Sequence, residues 1–404
     1  MANNRNRTRS GRVKAIKVAQ RRKRRLQIIA IVLLIVLLLL LALSSFHGTT
    51  VSTMKDGSKS FFSNIGPGGG YPYAVNSNAV ADVGVLDGDI FLLENNQTVT
   101  LNSTAKEIKR DRHTYGRPAM DICSNRALVY DRGGNRYRIE TRKKIIKTGK
   151  LHADESIITG TIGKKGNIAF GTLTSTASSR LVVINRNYKK RVFVWDCADY
   201  TVTSVALSDN GKYAAVSVIG SENAEEYSKV FVFDFDYSEP LCEKEYLGTS
   251  IIKVHFSDNN DVVAVGDNAC IFLRNFNDSK TVKYGESTLN GFAFADNGAT
   301  VLCISDYGSL NAQRLVGYRP NGKEAFRKTT DRQVKGIWSS DSRIAVLTIN
   351  RVELYTFGGH LTKAVGADVS ARKALLVGNR VYIYKNGSIV KGHHVSKNHA
   401  RSPS

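Results

Sequence analysis

The chain has 404 residues, 58 of them Lys or Arg and 35 Asp or Glu, for a formal net charge of +23, with 42% hydrophobic residues. Eleven of the basic residues fall within the first 27 positions, which leaves +12 for the rest and argues against a nucleic-acid binder. The five cysteines (Cys123, Cys197, Cys242, Cys270 and Cys303) are odd in number, widely spaced and without a CxxC pair, which argues against a disulfide framework or a zinc site.

Residues 1–25 form a basic leader that ends in Arg21, Arg22, Lys23, Arg24 and Arg25. The uncharged stretch 26–46 follows, with an unbroken apolar run from Ile28 to Leu43. At ~1.5 Å per residue this helix covers roughly 30 Å, the thickness of a bilayer's hydrocarbon core. The first acidic residue is Asp56, so the positive-inside bias places the amino terminus in the cytoplasm and everything beyond the span outside. The expectation is a single-pass cell-membrane protein anchored in lipid through 26–46, its basic cluster drawn to anionic lipids of the cytoplasmic leaflet. A cleaved signal peptide is the alternative, with Ala42 and Ser44 as small residues near a cleavage site.

Residues 47–72 turn polar and small, ending in a Gly-rich segment from Gly66 to Pro72, and read as a flexible tether with a reach of ~30 Å. From Tyr73 to about 392, apolar runs of four to seven residues alternate with Asn, Asp, Gly and Ser turns, without helical periodicity. One unit recurs: an apolar strand, a tight turn and a second apolar strand. It is clearest around Asp209, Asp258, Asp296 and Asp341, at spacings of 49, 38 and 45 residues. Weaker copies lie near Gly88, Asn125, Gly166 and Ala371. RVFVWD, KVFVFDF, CIFLRN, RVELYTF and RVYIYKN are read as the third strand of their units.

Repeated sheets of ~40 residues bury both faces when they stack radially, which predicts an all-β propeller of seven or eight blades. Two stacked β-sandwiches are the rival, disfavoured by the long period. The segment Tyr71–Val75 is expected to close the ring against the last blade around Val381–Tyr384. The tail 393–404, with His393, His394 and His399, is expected to be unstructured.

These turns and strands resemble the WD40 and quinoprotein-like propellers, with one WD dipeptide at Trp195 and Asp196. The whole plan of basic leader, single span, tether and degenerate propeller resembles an uncharacterised family of membrane-anchored propeller proteins of Gram-positive bacteria. That resemblance implies the fold and no assigned chemistry.

No nucleophile elbow, HExxH pair, phosphate loop or calcium loop is present. The repeated aspartates are what tight turns select. The strongest functional lead is electrostatic: from Lys106 to Lys150 there are fourteen basic and five acidic residues. Arg126, Arg132, Arg136, Arg138, Arg142, Lys143, Lys144 and Lys147 are therefore candidates for binding an anionic envelope polymer or the headgroups of the outer leaflet, since arginine forks suit phosphate and carboxylate. A solvated blade edge accounts for the same charges. The expected function is a non-catalytic module, without cofactor, that binds a protein or an envelope polymer. The alternative is a tethered propeller enzyme with its site in the central channel.

Overall fold

Short Val-, Ile-, Phe- and Leu-rich runs punctuated by turn residues favour sheet, and sheet is what forms. A computed structural model describes residues 68–393 except 77, 223–224, 307–312, 331 and 341. The leader, the expected span, most of the tether, the tail with His394 and His399, and the turn residue Asp341 lie outside the described residues. Among the described residues there are 32 strands in eight antiparallel four-stranded sheets, and no helix long and apolar enough to cross a membrane.

Each sheet is one blade of a propeller: 80–112, 118–150, 156–197, 201–247, 251–283, 288–330, 334–366, and an eighth made of 371–391 with 73–74. The blade count is therefore eight. First strands neighbour one another around the axis, and the ring closes where Val80–Leu86 of blade 1 meets Ala371–Val377 of blade 8. Second strands such as Arg126–Asp131 and Thr300–Ser305 are buried along their whole length. That is why they read as continuous apolar runs rather than alternating ones. Outermost strands such as Cys242–Leu247 alternate between covered and exposed positions. The five thiols are free, and Cys270 and Cys303 are fully buried core residues.

Three sequence readings are corrected in detail. RVFVWD lies in Arg191–Cys197, the fourth strand of blade 3, and RVYIYKN lies in Arg380–Lys385, the second strand of blade 8. Both are apolar enough to pass for interior strands. Closure pairs Tyr73 with Ile389 and Ala74 with Ser388, on the third strand of blade 8 rather than on the second. The second strand is still touched, through the Tyr71 and Tyr382 rings at 4.8 Å.

Two regularities of the fold are invisible in the repeat pattern. Seven of the eight first strands carry a one-residue bulge just after their start, at Ala81, Ile158, Thr203, Ile252, Asn290, Lys335 and Arg372. Blade 2 pairs without one. In three blades an N–H in the first two residues of the first strand donates to a side-chain oxygen of the preceding blade: Val202 to Ser179, Ile251 to Ser228 and Val334 to Gln313, at 3.0, 3.0 and 2.6 Å. These bonds satisfy buried donors that no strand partner reaches.

Antiparallel connectivity gives the ring two distinct faces. Turns between first and second strands, and between third and fourth, all emerge on one face. Because 73–74 runs antiparallel to Ser388–Lys391, the described chain both enters (Gly68–Pro72) and leaves (Gly392) on that same face. We call it the entry face, and the other the far face. Neighbouring entry-face turns are tied together, with Lys164 bonded to Asp209 at 2.7 Å and the Asn210 N–H donating to Asn259 at 2.7 Å.

Candidate functional site

The eight basic residues of blade 2 do not form one patch. Arg126 is buried, donating to the Tyr188 hydroxyl at 2.7 Å with its guanidinium 5.9 Å from that ring. Arg138 and Arg142 are buried as well. Arg138 donates to the Arg112 carbonyl at 2.8 Å and the Thr98 hydroxyl at 2.9 Å, and it pairs with Glu140. Arg142 pairs with Asp89 and approaches Asp87 at 4.0 Å. Three of the eight therefore belong to the protein's interior. Of the others, Arg132 and Arg136 are exposed at the far face, Lys143 and Lys144 sit in an entry-face turn, and Lys147 lies on the outer wall.

What the buried arginines build is a charge network between blades 1 and 2. Glu140, 0% exposed, is its centre and accepts from Lys109, Arg138 and Thr98. Lys109 also reaches Asp111 at 3.4 Å. Burial brings Lys109 down to about 8, against the pull of Asp111. Burial likewise pushes Asp89 up to about 7 although Arg142 opposes it, and it holds His113 at about 4, helped by Arg138. Such shifts commonly mark functional sites. Here every shifted group is held by protein: His113 bonds the Glu94 carbonyl at 3.0 Å and stacks on Tyr115.

The accessible basic groups gather differently. On the far face, exposed Arg112 and Arg117 join Arg132, Arg136 and Lys150. Arg136 is steadied there by the Thr114 hydroxyl at 2.8 Å and lies 5.5 Å from the Tyr115 ring. Sequence reading missed Arg112, Arg117 and Lys150. Strand ends are what bring them together, and no local pattern in the sequence marks which ends share a face.

Also on the far face, blade 4 stands out. Its second and third strands, Tyr213–Glu222 and Glu225–Asp234, have 10 residues each, where the second strands of the other blades have 5 or 6. The first strand's pairing ends at Ile219, so the hairpin projects about three residues further, ~10 Å. Lys229 braces its root, 5.0 Å from the Tyr200 ring, 5.9 Å from the Tyr227 ring and 3.0 Å from Glu243. Beside it Leu247 and Ile252 are 66% and 49% exposed.

Near the axis, His255 stacks on Phe294 at 4.5 Å, and burial together with Lys253 and Lys164 brings it to about 4. Among the described residues no three His, Cys, Asp or Glu side chains converge as metal ligands would. An open cleft of about 810 Å³ lies where the chain ends meet, lined by Gly68, Tyr71, Ser103, Thr104, Lys391 and others.

The fold is widely shared. The chain is similar to BamB from Moraxella catarrhalis (10% identity, TM-score 0.52, covering 80% of this chain and 98% of that one). It is similar to Sqt1 of Saccharomyces cerevisiae (9%, TM-score 0.55, 79% and 97%) and to the C-terminal WD40 domain of Sif2 (11%, TM-score 0.57, 81% and 99%). At these identities the likeness is one of fold. No curated protein matches the chain. Residues 73–391, from the strand that closes the ring to the end of the last blade, match the family of unknown function DUF5711, and the chain belongs to that family.

Proposed function

We propose that this protein is a membrane-anchored, extracytoplasmic binding module without catalysis, which presents the far face of its propeller to a protein partner. The observation that carries the reading is the chain's path. Entry and exit of the described chain share one face, so the far face is free of the chain's own attachment. That open face carries a braced hairpin with acidic Glu225 and Glu226 next to exposed Leu247 and Ile252. Rigid apolar anchors ringed by charge are what protein interfaces use. The central-channel enzyme is less well supported, because His255 is engaged by Phe294 and the shifted groups of blades 1 and 2 are enclosed in protein contacts.

A photo-crosslinking residue at position 247 in the full-length chain, expressed in cells, tests the reading. A discrete protein adduct is expected, lost when 220–227 are replaced by Asn-Gly. Absence of any adduct at 247 overturns the protein-partner assignment. A second reading, an anionic polymer, is favoured specifically by Arg112, Arg117, Arg132, Arg136 and Lys150 sharing the far face. It predicts instead a ladder of adduct masses from a crosslinker at position 117.

A further inference from the structure

The entry face is electrically lopsided. The four entry-face turns of blades 2 and 3 contain Arg142, Lys143, Lys144, Lys164, Lys165, Arg186, Lys189 and Lys190 and no Asp or Glu. Five of these eight side chains are exposed, Lys143 and Lys165 are half-buried, and Arg142 is buried. The turns are rigid: the Thr141 N–H donates to the Lys144 carbonyl at 2.9 Å, and Asn185 accepts the Lys189 N–H at 3.2 Å. Acidic neighbours enter from the flanking blades, with Asp209 of blade 4 bonded to Lys164 at 2.7 Å and Asp87 of blade 1 at 4.0 Å from Arg142. Across the same face, blades 4 to 6 carry Asp236, Glu239, Asp258 and Asp296 among their cations. Exposed Tyr237 (64%), Leu241 (45%) and Leu361 (47%) also lie on this face, a residue mixture that suits a membrane interface.

We infer that the blade 2–3 sector of the entry face docks on anionic lipid headgroups of the outer leaflet. This rests on the anchored reading. The described chain enters the propeller on this face at Gly68, so the attachment point and the basic sector share it. Lysines in fixed turns act there as point charges toward phosphate, and each adds to the attraction while it lies within a Debye length of the surface. Docking would hold the propeller with its far face outward, the orientation a display module needs.

The test uses the full-length chain in vesicles of phosphatidylcholine alone or of equimolar phosphatidylglycerol and phosphatidylcholine, with a water-soluble amine reagent and mass spectrometry. In the anionic vesicles Lys144, Lys189 and Lys190 should react at least about tenfold more slowly than in phosphatidylcholine. Lys150 and Lys283, at far-face strand ends, should be unchanged. Protection should vanish at ~0.5 M NaCl, where the screening length falls to a few ångströms. A Lys143→Gln, Lys144→Gln, Lys189→Gln, Lys190→Gln variant with unaltered circular dichroism should lose the protection of Lys164. Equal labelling in both vesicle types overturns the inference. So does protection by soluble polyphosphate on phosphatidylcholine vesicles with none from phosphatidylglycerol, which reassigns the sector to a polymer. Flotation of the chain with phosphatidylcholine vesicles separates the two claims, since failure to float removes the anchor itself.

Discussion

Blades 1 and 2 meet through charge, whereas blades 3 and 4 meet through aromatic rings, though both interfaces come from the same repeat. The first holds Glu140, Lys109, Arg138, Arg142 and Asp89 beside a small apolar cluster of Leu86, Phe91 and Leu93. The second packs Phe193, Phe231 and Phe233 with Val202, Val205 and Val216, and Trp195 covers its edge. A propeller therefore tolerates either filling between sheets. The demands differ: an apolar interface needs volume, while a buried network needs every partner present.

The comparison breaks most visibly at Glu140. Glu140→Gln removes the anion facing two buried cations, Lys109 and Arg138, and should lower the unfolding free energy by about 3–5 kcal/mol. Urea denaturation of the variant measures this. The companion triple variant Lys109→Met, Arg138→Leu, Glu140→Leu should recover most of that loss, since apolar replacement of a whole buried ion group is often neutral or stabilising. If Glu140→Gln proves as mild as a surface substitution, the network does not hold the blades together.

Acid should separate the two interfaces next. Burial, reinforced by Arg138, keeps His113 neutral in the fold down to about 4, below its ordinary value of 6.5. The unfolded chain thus binds a proton that the folded chain refuses. Stability from this group is complete above pH ~6.5 and is lost as pH falls toward ~4, about 3 kcal/mol in all. The wild type's advantage over His113→Asn in thermal melts should shrink by this amount across that window, while the shares of His255, also held at about 4, and of Asp89, whose raised value acts in the opposite sense, are common to both proteins and cancel in the difference. Amide exchange should show blades 1 and 2 loosening while 201–234 stay protected.

The eight-fold repeat was legible because each first hairpin needs a tight turn between two apolar strands, and tight turns select Asp, Asn and Gly. Even there the chemistry differed in one respect: in two of these turns the following Asn, not the Asp, accepts the turn N–H, at 3.0 Å for Asn210 and 3.1 Å for Asn297. The outer strand of blade 3 misled because it is as apolar as an inner one, leaving Val192 and Val194 39% and 44% exposed. The basic cluster misled for the opposite reason. RYRIE is a third strand, enclosed on both faces along all but its first residue, so Arg138 and Glu140 go inside together with Tyr137 and Ile139. An acid two residues from an arginine in an interior strand was the signal for a buried pair. Far-face gathering of Arg112, Arg117 and Arg136 had no such signal, since it depends on which strand ends share a side.

The aromatic interface supplies the smallest effect and the sharpest contrast. Phe233 is 0% exposed, with ring centroids of Trp195, Phe193 and Phe231 at 4.8, 5.2 and 6.0 Å. Phe233→Leu forfeits part of these ring contacts, worth roughly 0.5–1.5 kcal/mol beyond the area buried. It also leaves a small void, but Trp195 is only half-buried at the blade edge and can settle inward to fill it. The net loss should be about 1–2 kcal/mol in urea unfolding, because the cost of a large-to-small change depends on how far the site collapses. Adding Trp195→Ala removes the group that settles, so the pair should lose more than the two single variants summed. Strict additivity would show that the ring cluster does not relax, and the tolerance ascribed to the apolar interface would then have to come from its backbone.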